Sequence, residues 1–186
     1  MGSPVFILEH REQNMEFEVI QGDIAAESAD VLVNAAGTSL RMGSGVAGAL
    51  RRGAGEEIHR AAMEKGPVDL GEVAVTDAYD LDADWVIHAA AMPHDGDGKA
   101  TAESITDATR NTLEAADELG AESLVIPALG CGVAGFDLRT GARLICETIT
   151  EYEPESLVDV RFISYSDDEY ATVRAVAAEV GSNTDD

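Results

Sequence analysis

The sequence predicts an α/β fold, a three-layer α/β/α sandwich with helices covering both faces of a largely parallel sheet. Three observations carry that expectation. Short β-branched runs alternate along the chain with segments of helical period. Several of those runs, such as SLVIPA at 123–128, are almost continuously apolar, as strands covered on both faces are. Two glycine-rich segments, GSGVAG at 43–48 and GCGVAG at 130–135, each come after a strand-like run and spell the same G-x-G-x-x-G pattern. Both loops therefore belong on one rim of the sheet.

The elements follow in order. VFILEH (5–10) reads as an extra edge strand or as part of an N-terminal extension over 1–14. FEVIQ (17–21), DVLVNA (30–35), EVAVTDA (72–78), WVIHAA (85–90), SLVIPA and VDVRFISY (158–165) read as strands. Residues 46–64 carry one or two helices, with a break near Gly53 or Gly55. Ile105, Ala108, Thr112, Ala116 and Leu119 recur at helical spacing until Gly120 supplies a stop. Asp137 caps a helix that buries Leu138, Leu144, Ile145 and Ile149, and Pro154 forbids its continuation. SDDE (166–169) has the form of a capping box and opens a last helix over Val173, Val176 and Val180 that closes at Gly181. Residues 182–186 read as a frayed tail, which leaves 15–181 as one domain.

Composition narrows the function. A chain of 186 residues suits one compact domain. No run of 18 apolar residues occurs, and the first residues lack the pattern of a signal peptide. Asp and Glu number 36 against 12 Lys and Arg, a formal net charge of -24, and Lys65 and Lys99 are the lysines. Such a surface repels nucleic acid and membrane phosphates. Because the acids are scattered, the expectation is a cytoplasmic, halophilic protein whose self-repulsion is screened by molar salt. Cys131 and Cys146 suffice for neither a disulfide framework nor a metal site, so no metal and no cofactor are expected.

Glycines admit positive φ and leave no Cβ between an amide and its ligand, so successive N–H groups can cradle an anion. The first loop runs straight into a helix near Val46, where the macrodipole adds to the cradle. One such loop often merely turns the chain; two on one rim can grip a diphosphate from opposite sides. A dinucleotide-binding fold fits poorly. Its fingerprint follows a strand directly, with an acid about 20 positions later. Here GTSLRM intervenes before the first loop, and neither loop has the acid in place.

Taken together, GDI (22–24), DVLVNAAG (30–37), GSGVAGAL (43–50), VIHAA (86–90) and IPALGCGVAGF (126–136) resemble the macrodomain family, in the right order and over about residues 15–180. The resemblance implies a six- or seven-stranded mixed sheet that binds ADP-ribose, or ADP-ribosylated molecules, across the strand ends. It implies that the Asp23 carboxylate accepts from the adenine amine while Ile24 backbone meets the ring; capping of the following turn is the alternative for Asp23. Asn34 is implied at the ribose end, with a buried structural amide as its alternative. The diphosphate is expected between Gly43, Ser44, Gly45, Val46 and Ala47 on one side and Gly130, Cys131, Gly132, Val133 and Ala134 on the other. Phe136 is implied against the distal ribose and Tyr165 on adenine, although both also suit core positions.

A hydrolytic branch of the family carries Asn and Asp where this chain has Gly37 and Ala47, which cannot orient or deprotonate water. That favours binding with at most weak hydrolysis. The alternative is a true hydrolase or phosphatase acting on mono-ADP-ribosylated protein, ADP-ribose 1″-phosphate or O-acetyl-ADP-ribose. His94 and Asp95, in MPHDGDGK (92–99), are then the candidate bases. His88 reads as a buried, hydrogen-bonded core histidine, and Cys131 has no evident base beside it.

Overall fold

The computed structural model describes residues 4–9, 14–93, 99–132 and 135–184. Seven strands form one sheet: β1 (Val5–Glu9), β2 (Asn14–Gln21), β3 (Val31–Gly37), β4 (Val73–Asp77), β5 (Trp85–Met92), β6 (Ser123–Ile126) and β7 (Asp159–Ser164), in the order β1-β2-β7-β6-β3-β5-β4. The five central strands are mutually parallel. The two edges are antiparallel, β1 on β2 and β4 on β5, because short connections return each directly alongside its partner. The sheet is thus mixed, as the family resemblance implies.

Alternation along the strands sorts side chains into two cores. Val31, Val33, Ile87, Ala89, Leu124, Ile126, Val160 and Phe162 face one side. They pack there against α3 (Ala102–Glu118), α4 (Leu138–Glu151) and α5 (Asp167–Thr184). Leu32, Val86, Val125 and Ile163 face the other side, under α1 (Gly45–Ala54) and α2 (Glu57–Lys65). Three layers result.

Local signals account for most boundaries. Gly55, at φ +100°, separates α1 from α2. Gly120, at φ +73°, follows the end of α3, where its N–H and that of Ala121 bond back to Asp117 and Ala116. Asp137 caps α4 by accepting from the Thr140 N–H at 2.9 Å, and Ser166 and Glu169 form a capping box at α5. One boundary differs from expectation: α5 does not close at Gly181 but runs to Thr184. A Cβ at Gly181 would lie 2.6 Å from the Phe6 ring, so this glycine serves close packing of β1 rather than chain termination.

Candidate functional site

Because the central strands are parallel, their C-terminal ends share one rim. From that rim β3 leads to α1 on one face and β6 leads to α4 on the other, although β3 and β6 are neighbours. A crevice opens where adjacent strands send their chains to opposite faces. The ladder itself splays there: β3 pairs with β6 through two residues only, Val31 with Leu124 and Leu32 with Val125, while its pairing with β5 continues to Gly37. The two glycine loops flank that split.

Their glycines do different work. Gly130, at φ +74°, is packed; a Cβ there would lie 2.6 Å from Ala100 Cβ. At Gly43, Gly45 (φ +61°) and Gly132 a Cβ would meet nothing within 4 Å, so the backbone is open to a ligand. Ser44 is the N-cap residue of α1 but makes no side-chain capping bond. Among the described residues, no acceptor takes the N–H groups of Gly43, Ser44, Gly45, Val46 or Ala47, nor that of Gly132. By contrast, α3, α4 and α5 start with side-chain caps. At the crevice, α1 alone of these four presents bare donors, which is what an anion site requires.

The second loop is held by its own backbone. Cys131 N–H donates to Ala128, Gly135 N–H to Gly132, and Phe136 N–H to Gly130. The Cys131 thiol points inward towards Leu129 O, and Gly141 of α4 leaves room for its sulfur. Burial, helped by Asp137 and Glu169, pushes the thiol pKa up to about 12, so it is no nucleophile at neutral pH. Phe136 is half-buried against the α3–α5 core. Lys99, which the sequence did not single out, has its Cε 3.9 Å from where a Gly135 Cβ would lie, bringing one cation beside this loop. Val133, Ala134, His94 and Asp95 lie outside the described residues.

At the β2–β7 end of the rim, Gly22 N–H donates to Ser164 O, and Gln21 Nε2 donates to Tyr165 O at 3.3 Å and Asp167 Oδ1 at 2.7 Å. These bonds bring Asp23 near Tyr165. Asp23 Oδ1 accepts from Ala25 N–H at 2.9 Å, capping the single 3₁₀ turn Ile24–Ala26, and Ile24 is buried. The carboxylate is exposed, and its second oxygen is not used by the cap. Tyr165 is 77% exposed, a solvent-facing ring rather than a core residue.

Asn34 stands apart from the rim. It is fully buried, and its side-chain amide contacts His88 Nδ1 at 3.0 Å, while His88 Nε2 contacts Thr76 Oγ1 at 2.9 Å. All three point to the α1–α2 face of neighbouring strands. Burial, then the charge of Lys65, lowers the His88 pKa to about 4, so the ring is neutral and bonds through one donor and one acceptor nitrogen. Asn34 Oδ1 has no partner among the described residues. From this position Asn34 stiffens the β3–β5–β4 ladder beneath the crevice and offers no surface to a ligand.

Comparison with known proteins bears on this geometry. The Macro domain family model matches residues 33–145. An uncharacterised protein of Mycobacterium tuberculosis is 42% identical over 171 residues, covering 92% of this chain and 46% of that protein. The chain thus spans about half the length of the mycobacterial relatives it matches. A macro domain-containing protein of Streptomyces griseus is 34% identical, with coverage of 86% and 93%. Among solved structures, a variant of the Oceanobacillus iheyensis macrodomain with ADPR superimposes with a TM-score of 0.84 at 26% identity, covering 96% of this chain and 98% of that one. A Trypanosoma brucei macrodomain in complex with ADP-ribose gives 0.77 at 26% identity, covering 86% and 68%.

Proposed function

The chain belongs to the macrodomain family, and on that premise we propose that it binds ADP-ribose, free or attached to protein, across the C-terminal ends of its parallel strands. One observation carries the reading. The bare N-terminus of α1 follows β3 on the rim where β3 and β6 cease to pair, and Gly43, Gly45 and Gly132 have open space in place of a Cβ. Main-chain dipoles bind phosphate locally, which suits a protein of net charge -24 that repels anions at long range. From β2 to β5 the rim spans four strand steps, about 19 Å at roughly 4.8 Å each, enough for a nucleotide extended along it.

Adenine then lies at the β2–β7 end, its amine donating to the uncapped oxygen of Asp23, its ring against Ile24 backbone and the exposed face of Tyr165. The diphosphate sits between the loops, on the amides of Gly43, Ser44, Gly45, Val46 and Ala47 and of Gly130 and Gly132, the Cys131 N–H being already bonded to Ala128 O. Phe136 borders the distal ribose. Asn34, buried and bonded to His88, is left out of the contact set.

Binding without efficient turnover is the reading we favour. Gly37 has no side chain, and Ala47 presents only a buried methyl, so neither holds a water at the distal ribose. Calorimetry in molar KCl tests the binding claim: ADP-ribose should bind more tightly than AMP or NAD. Equal affinity for NAD, or no heat with ADP-ribose, contradicts it. Turnover of mono-ADP-ribosylated protein that disappears in His94→Ala or Asp95→Ala would instead favour the hydrolase reading. The acidic surface supports a working place in the cytoplasm of a salt-accumulating cell.

A further inference from the structure

The first glycine loop is held from behind at a single peptide. Met42 N–H donates to His59 Nδ1 of α2 at 3.2 Å, and Met42 O accepts from Arg51 Nη1 of α1 at 2.9 Å. The Met42 side chain is itself fully buried. Arg51 is fixed in turn by a fork to Glu56, Nε to Oε1 at 3.1 Å and Nη2 to Oε2 at 2.5 Å. Directly beyond Met42 begin the N–H groups that no described residue accepts. Met42 is therefore the last fixed point before the cradle.

We propose that His59 and Arg51 are a positioning pair that aims the first phosphate loop, and that protonation of His59 releases that aim. The proposal rests on the ADP-ribose site described above. A ring nitrogen that accepts from an N–H must keep its lone pair, so His59 carries its one proton on Nε2. A second proton, on Nδ1, sets donor against donor at Met42 and breaks half of the clamp. The charged groups facing the ring are Arg51 from α1, Glu56 at the head of α2 and Arg41 from the loop. Burial, and then Arg51 and Arg41, hold the ring's pKa below the ordinary 6.5 against the opposing pull of Glu56.

The direction of the consequence is diagnostic. Acidifying a strongly negative protein weakens its repulsion of anions and by itself improves phosphate binding. The clamp requires the opposite.

The test is an ADP-ribose titration at constant molar KCl from about pH 8 to about pH 5, the range in which histidine changes charge, with wild type and His59→Gln. The glutamine carbonyl can still accept from Met42 but does not titrate. Wild-type affinity should fall about five- to tenfold towards the acid end, the cost of one hydrogen bond. His59→Gln should stay flat, matching wild type at the alkaline end within about threefold. In the free protein, the Met42 amide resonance should titrate in wild type and not in His59→Gln. A wild-type affinity that rises or holds steady on acidification overturns the proposal, as does the same fall in His59→Gln. If wild type binds no ADP-ribose at any pH, the ligand assignment fails, and a Met42 amide indifferent to pH overturns the clamp independently.

Discussion

His88 sits in an environment far from that of an imidazole in water. Its ring is neutral in the fold until about pH 4, whereas in the unfolded chain it takes a proton near its ordinary 6.5. Above pH 6.5 the two states match. Between 6.5 and about 4 only the unfolded chain binds the proton, so stability falls with pH, by roughly 3 kcal/mol across the window. Urea midpoints at pH 7 and pH 5 should therefore differ in wild type and converge in His88→Gln; an equal shift in both would exclude His88 as the cause. Asp117 acts in a lower window. Burial raises its pKa, but the Tyr152 hydroxyl and the N–H groups of Glu155, Ser156 and Leu157 lower it more. The stability it contributes is lost only as pH drops through the carboxylate range. Asp23 separates two roles by substitution. Asp23→Asn keeps an oxygen for the Ala25 N–H but loses the second acceptor oxygen, so the turn should persist while ADP-ribose affinity drops about tenfold. Unchanged affinity in calorimetry leaves Asp23 as a cap alone.

At the level of elements, the proposed phosphate site explains why α1, which starts at the rim, has no side-chain cap. Ser44→Asp supplies the missing carboxylate. It should stabilise the helix by about 0.5–1 kcal/mol while occupying the donors a phosphate needs, so the melting temperature should rise and ADP-ribose binding should fail. Binding that survives this change would separate the helix end from the site. The second loop offers the complementary contrast: Gly130→Ala forces a Cβ onto Ala100 at positive φ and should cost about 2 kcal/mol, whereas Gly132→Ala meets nothing and should leave stability unchanged.

These elements also mark what could be read from the sequence. The caps of α4 and α5, a helix break near Gly53 or Gly55 and the loops on a common rim follow from local chemistry and appear in the letters alone, whereas the Thr101–Ser104 box that opens α3 is not read there. The partnership of Asn34 with His88 and Thr76 does not, because it depends on β3 and β4 lying on either side of β5, a matter of sheet order rather than of neighbouring residues. The Met42–His59 bond was hidden for the same reason, joining a loop to a helix one element further on. Gly181 shows a subtler limit, since a glycine that ends a helix and one that admits a neighbouring ring are the same letter.

The whole molecule combines a strongly anionic surface with the proposed site for an anion. Salt should therefore act twice. Raising KCl from low to molar concentrations screens the self-repulsion of a -24 chain and should raise its unfolding midpoint. ADP-ribose affinity should hold or improve over the same range, because fixed main-chain dipoles rather than exposed lysines make the contact; a steep loss of affinity with salt would point to ordinary ion pairing instead. The most direct measurement is an amide-resolved NMR titration with ADP-ribose in molar KCl. The resonances of Gly45, Val46, Ala47 and Gly132 should move together and saturate with the ligand. If the protein saturates while these four stay where they were, two loops do not converge on the diphosphate, and the site lies elsewhere.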